Sequence, residues 1–266
     1  MTSRKLPVWR KLAWAAWRPP SDPQFYGELD VDAEALLDYI AQVRATSGRH
    51  VTITHLVGRA VAHGLARVPE LRVRVAFGRE HDRESIDVFF ITSVHGDKEL
   101  SGVKITDVVH RSAVDVAEEL ERRNAAIADG TDPEFGKGKA LLGWLPVWLL
   151  RPVLRCGAWL TAGLGLDLKA IGLPREAFGG AMITSVGMWG VRRAFSPLAA
   201  YYRIPVLVLV GSVEQRAVVV DGEVVARPVL GITATFDHRY VDGSQAVRFA
   251  TAAREYCADP GAFEPA

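Results

Sequence analysis

The chain has 266 residues, 49% of them hydrophobic, with 32 lysines and arginines against 31 aspartates and glutamates. That length and composition allow a large buried core in one sizeable domain and exclude a globally disordered chain. A formal net charge of +1 gives no basis for a nucleic-acid surface, and two cysteines, Cys156 and Cys257, form neither a disulfide framework nor a zinc-ligand spacing.

Residues 1–24 read as an arm. Trp9, Trp14 and Trp17 stand among Arg10, Lys11 and Arg18, and Pro19, Pro20 and Pro23 end any helix. The arm can pack across the domain or a neighbour, or touch a membrane surface. Its apolar core, "LAWAAW", is too short for a signal h-region. With the cysteine usage, this points to a cytoplasmic protein.

Residues 25–266 read as a single α/β domain. "FYGELDV" is a strand. Asp32 is placed to cap a helix that buries Leu36, Ile40 and Val43. Thr52 or Thr54 opens a second helix, with Leu56, Val57, Ala60, Val61, Leu65 and Val68 on one side and Pro69 at its end. "LRVRVAFG" and "SIDVFFITSV" are strands. Ser112 and Asp115 form a capping box for a helix to about Ala126. Residues 130–139 are a polar, glycine-rich loop.

At about 140–171 comes an apolar insert, broken by Pro146, Arg151, Pro152 and Arg155. No part of it reaches the roughly 18–20 residues of a membrane span. It reads as a helical hairpin that covers the core or a partner subunit, lines an acyl pocket, or rests on a membrane surface. Six of the seven tryptophans lie in this insert or in the arm.

"IPVLVLVGSV" is nearly continuous in apolar residues and so belongs in the centre of a sheet. "RAVVVDGEVVARPV" is a hairpin turning at Asp221-Gly222. A strand over 231–236 leads to a last helix from Ser244, with Val247, Ala250 and Ala253 toward the sheet.

Of seven histidines, six sit where helix, loop or strand-end roles suffice, and none belongs to a compact metal motif. No metal site is expected. His238 differs. It stands where a strand stops and a glycine turn begins, with Asp242 one turn further on. A neutral imidazole projecting there can take a proton from a substrate. A solvent-exposed turn histidine beside a capping aspartate is the equal alternative on spacing alone. With no G-x-S-x-G elbow and no cysteine placed beside it, the ring would activate a substrate group rather than a protein nucleophile.

"TFDHRYVDG", Thr235 to Gly243, resembles the signature of the catalytic domain of the 2-oxo acid dehydrogenase acyltransferases, the lipoamide acyltransferase E2 components. The wider stretch Val206–Gly243 and "ITSVGMWGV", Ile183 to Val191, are similar in order and spacing. So are most of residues 26–128 and 180–257. The resemblance implies a chloramphenicol acetyltransferase-like two-layer sandwich, a large mixed β-sheet covered by helices. It implies that His238 removes the proton of an attacking thiol and that Asp242 orders the histidine loop. It implies that a hydroxyl, Thr184 first and Ser185 second, stabilises the oxyanion. The expected assembly is a homotrimer, or an assembly of trimers, with the site between subunits. Coenzyme A or another pantetheine or lipoyl-type thiol is the expected co-substrate, with no covalently bound cofactor.

Three departures stand out. The 266 residues contain no lipoyl domain, subunit-binding domain or Ala/Pro-rich linker. The family's channel segment becomes "GDKELSGVKI", Gly96 to Ile105. The apolar insert has no counterpart. These point away from lipoamide and toward coenzyme A, with a long or apolar acyl group. The competing reading is a non-catalytic trimeric scaffold or acyl-ligand-binding homologue at a membrane surface.

Overall fold

Alternating patterns and capping residues build the layers in the order the sequence suggests. The structure is a computed structural model describing residues 23–76, 79–94, 99–131, 146–169, 173–199 and 203–265. Residues 1–22 of the arm, and 140–145 and 170–171 of the insert, lie outside the described residues.

Strand β1, Gln24–Asp32, buries Leu29 and Val31 and exposes their neighbours. Helix α1, Glu34–Ser47, buries Leu36, Ile40 and Val43 and ends on Gly48 in the left-handed region at φ 67°. Asp32 does serve its start: its Oδ1 accepts the Glu34 N–H at 2.9 Å, although Ala33 occupies the cap position. Helix α2, Ile53–Arg67, is capped at Thr52, whose N–H donates to His55 Nδ1 at 3.1 Å. Helix α3, Ala113–Ala128, carries the expected box: Ser112 Oγ accepts from Asp115 N and Asp115 Oδ2 accepts from Ser112 N.

Strands β2, Val73–Ala76, and β3, Arg79–Asp82, form a two-stranded hairpin of their own. "LRVRVAFG" is thus a strand outside the main sheet. That sheet adds β4, Val88–Val94, β5, Glu99–Ile105, β6, Ala181–Ser185, β7, Val206–Val220, and β8, Glu223–Asp237, to β1. Its order is β1-β8-β7-β6-β4-β5, with β6 parallel to both β4 and β7 and the other pairs antiparallel. β7 lies between β8 and β6, as its apolar run requires. "GDKELSGVKI" contributes the edge strand β5. Asp221 and Gly222 turn the β7–β8 hairpin with φ of 51° and 87°, the positive values such a turn needs.

Helices α1, α2, α3 and α5, Gly243–Ala258, cover one face of the sheet around a core that includes Leu36, Leu56, Leu65, Phe90, Ile183 and Leu230. Each such side chain contributes about 1.5–3 kcal/mol by leaving water. The expected α/β arrangement, a large mixed sheet under a helical layer, is borne out. One helical phase differs. In α5 the buried residues include Ala246, Phe249, Ala253 and Tyr256, while Val247 is exposed. The larger rings of Phe249 and Tyr256 set the buried face, and Val247 is left at its margin.

The insert contributes α4, Val147–Ala158, which runs through Pro152 into a π turn at Trp159–Gly163. Only one arm of the predicted helical hairpin is therefore described. The turn packs on the β2–β3 hairpin, where Arg74 Nη1 donates to Gly163 O at 2.7 Å. Among the described residues no helix is long and apolar enough to cross a membrane.

Candidate active site

β8 ends at Asp237, and the turn that follows is tied from several sides. Asp237 N donates to Pro205 O at 3.0 Å, and Asp237 O accepts the N–H groups of Tyr240 and Val241. The Asp237 carboxylate is buried and grips Arg239: Oδ1 accepts from the backbone N at 3.0 Å and Oδ2 from Nη2 at 2.5 Å. Val241 is buried, which anchors the far side of the turn. Between these fixed points the His238 side chain is exposed.

His238 is held at its backbone and its ring. Its N–H donates to Pro23 O at 2.7 Å, just before β1 begins. The ring lies 5.1 Å from that of Phe25, which stacks on Phe236 at 5.0 Å. Nδ1 lies 3.3 Å from Asp242 Oδ1. A carboxylate facing Nδ1 favours the Nδ1–H tautomer, which leaves the lone pair on Nε2. Asp242 sits at the N-terminus of α5, where Gln245 Oε1 accepts its N–H at 3.0 Å. The helix thus places the carboxylate beside the imidazole.

Thr184 and Ser185 end β6, both half-buried. Side chains alternate along the strand. Ala181 and Ile183 belong to the core under the helices, and Met182 belongs to a second cluster with Phe89, Leu198, Ile204 and Leu207. Thr184 therefore shares Met182's face, away from the helices, and Ser185 shares Ile183's. Beyond them the chain bends tightly at Gly187. A Cβ there would stand 2.3 Å from Gly211 O, so only glycine lets this turn lie on β7. Met188 and Trp189, on the same turn, are exposed.

The four predicted residues form two groups within one copy. Thr184 pairs with Leu209, which pairs with Thr233, five residues short of His238 on β8. At strand spacings this is about 17 Å along the sheet and about 10 Å across it, or about 20 Å in all. His238 and Asp242 meet; Thr184 and Ser185 lie beyond their reach. The Asp237–Arg239 lock, the Phe25 contact and the Pro23 tie were not anticipated. Of these, only the acid–base pair flanking the histidine in "DHR" was visible as a local signal. Among the described residues no group of three or more His, Cys, Asp or Glu is gathered as a metal ion would need.

Residues 174–263 match the family model described as the catalytic domain of 2-oxoacid dehydrogenases acyltransferase. A dihydrolipoyllysine-residue succinyltransferase component of the 2-oxoglutarate dehydrogenase complex from Bartonella vinsonii subsp. berkhoffii is 31% identical over 189 residues, 65% of this chain and 39% of that protein. The chain thus spans well under half the length of that relative. Among solved structures, the cubic core of a pyruvate dehydrogenase multienzyme complex superposes with a TM-score of 0.67 at 18% identity, covering 98% of this chain and 94% of the other. A chloramphenicol acetyltransferase superposes with a TM-score of 0.53 at 14% identity, covering 89% of each. The chain is related to these acyltransferase catalytic domains, as the resemblance of its sequence implies, and it has the chloramphenicol acetyltransferase-like fold.

Proposed function

We propose that this relative of the 2-oxoacid dehydrogenase acyltransferases is itself an enzyme, an acyltransferase that moves an acyl group between thiols at a site shared by neighbouring copies in a trimer. Coenzyme A, or another pantetheine or lipoyl-type thiol, is the co-substrate. The observation that carries this reading is the arrangement of His238. Its ring is exposed at a rigid sheet end, with Nδ1 on the Asp242 carboxylate at 3.3 Å.

His238 Nε2 takes the proton of the incoming thiol. The sulfur attacks the acyl carbonyl, and the Thr184 hydroxyl of a neighbouring copy donates to the oxyanion. Collapse of the tetrahedral intermediate breaks the original C–S bond, and the leaving thiolate receives the proton from the imidazolium. The gain comes from holding both reactants together and from the aimed donor, so no acyl-enzyme is required.

Two observations support a shared site. The separation of about 20 Å between Thr184 and His238 cannot be closed by side chains of one copy. The exposed Met188 and Trp189 beside Thr184 offer an apolar surface that a second copy can cover. The related cubic core is itself an assembly.

The test is thioester exchange by the full chain, with a panel of acyl-coenzyme A donors and free thiols as acceptors. Turnover should fall by about two to four orders of magnitude in His238→Ala. Absence of turnover across the panel, or turnover indifferent to that substitution, would sink the reading.

A further inference from the structure

Small residues face one another at one place in the main core. Gly27 and Ala234 are partners in the β1–β8 register, and Val208 follows on β7. Above this floor α2 presents Ala60, and α5 presents Ala246, Ala250 and Ala253. Between floor and roof is a cavity of about 270 Å³. The pocket opens to solvent at its margin, where the exposed Tyr26 and Val247 line it.

Its shape follows from its lining. It runs from Phe25 to Leu29 along β1, about 13 Å, and from Gly243 to Ala253 along α5, about 15 Å. That volume spread over that length is about one alkyl chain wide. The walls are apolar. Glu28 and Thr233 are lining residues, but the Glu28 carboxylate lies toward Arg193, and the Thr233 hydroxyl donates to Ala194 O. Neither offers a polar group to an occupant. Among the described residues of the apolar insert, 146–169, none lines the slot.

One end of the slot belongs to the site already described. Phe25 and Phe236 line it, and the Phe25 ring lies 5.1 Å from the His238 ring. Gly243, which also lines it, directly follows Asp242. We propose that the slot between β1, β8, α2 and α5 receives the alkyl chain of a linear, medium-chain acyl thioester whose carbonyl remains beside His238. The slot's length of about 13 Å along β1 suits an extended chain of roughly ten carbons, which corresponds to a decanoyl group. The transfer exchanges one thioester C–S bond for another and moves one proton through the imidazole, with no net redox change. The catalytic part of this inference rests on the acyl-transfer reading; the binding part does not.

Calorimetric titration of the full chain with decanoyl-coenzyme A and with acetyl-coenzyme A tests it. Decanoyl-coenzyme A should bind at least tenfold more tightly. Gly27→Val and Ala250→Leu each put apolar volume into the slot. A Cβ at residue 27 would meet Phe236 at an ordinary 3.5 Å. Each variant should reduce that preference at least tenfold, and an unchanged or raised Tm would show that the variant folds. Equal affinities in the unmodified chain, or a preference that survives in the folded variants, would overturn the proposal. The preference without turnover of either thioester would uphold the slot and sink the catalytic reading.

Discussion

Thr184 and His238 lie two strands apart in one sheet, with His238 five residues beyond the β8 position that Thr184 reaches through Leu209 and Thr233. A hydroxyl and an imidazole so placed can serve one carbonyl only across a boundary between copies. His238→Ala and Thr184→Ala should each be nearly inactive alone. Co-expressed in equal amounts, they should regain activity, because in a cyclic assembly about a quarter of the sites join an intact histidine to an intact threonine. Activity of separately tagged, co-purified mixed oligomers measures this. No recovery in mixed oligomers would mean that the two residues do not serve one site.

The two hydroxyls at the end of β6 are not equivalent. Thr184 lies on the face away from the helices, and Ser185 on the face toward them. Thr184→Ala should lower kcat by about 10²–10³, the cost of removing one oxyanion donor, with KM little changed. Thr184→Ser should recover most of the loss. Ser185→Ala should have the smaller effect. Steady-state kinetics on the three variants separates the two positions.

Stability should fall in mild acid through His55. Burial, with the nearby charges of His50 and Arg44 as lesser causes, pushes this ring down to about 4. In the unfolded chain it titrates near 6.5. Between those values the unfolded chain binds a proton that the folded chain refuses. The stability present above about pH 6.5 is therefore lost as pH drops, on the order of 3 kcal/mol by pH 4. His55→Gln keeps an acceptor for the Thr52 N–H without titrating. Urea midpoints at pH 7.5 and 5.0 should differ less for that variant than for the unmodified chain.

The end of the chain is fastened by a buried ion pair. Glu264 Oε1 lies 2.7 Å from Arg59 Nε and accepts from Tyr256 OH at 2.6 Å, while Oε2 accepts from Ala113 N at 2.5 Å. Burial and the adjacent carboxylate hold the Tyr256 hydroxyl well above its usual pKa, so it remains a donor. Glu264→Ala leaves the Arg59 charge buried and should cost about 3–5 kcal/mol in urea unfolding. Arg59→Met combined with Glu264→Gln should cost less than the two single changes summed, since no buried charge then lacks its partner.

Local chemistry was legible in the sequence. The Asp221-Gly222 turn, the Ser112–Asp115 box and the apolar run of β7 each announce their structure within a few residues. His238 and Asp242 were legible for the same reason: four residues apart, they meet through one turn of chain. What the sequence did not reveal is whatever depends on a distant partner. "LRVRV" has the alternation of a strand, but nothing within it tells whether it joins the main sheet or makes a hairpin with Arg79–Asp82. Val247 fits a helical stripe as well as Phe249 does, and the packing of the larger ring decides the phase. The slot arises because Gly27 meets Ala234, more than 200 positions later in the chain.

The tie between His238 N and Pro23 O joins residues 215 positions apart. Joining such distant segments is slow compared with forming a helix or a hairpin. The place of the imidazole therefore depends on a pairing of high sequence separation, the first strand closing onto the eighth. A polypeptide without that pairing would lack the Pro23 tie that holds His238 in place. On the acyl-transfer proposal, a refolded sample that regained its helices without this pairing would remain inactive.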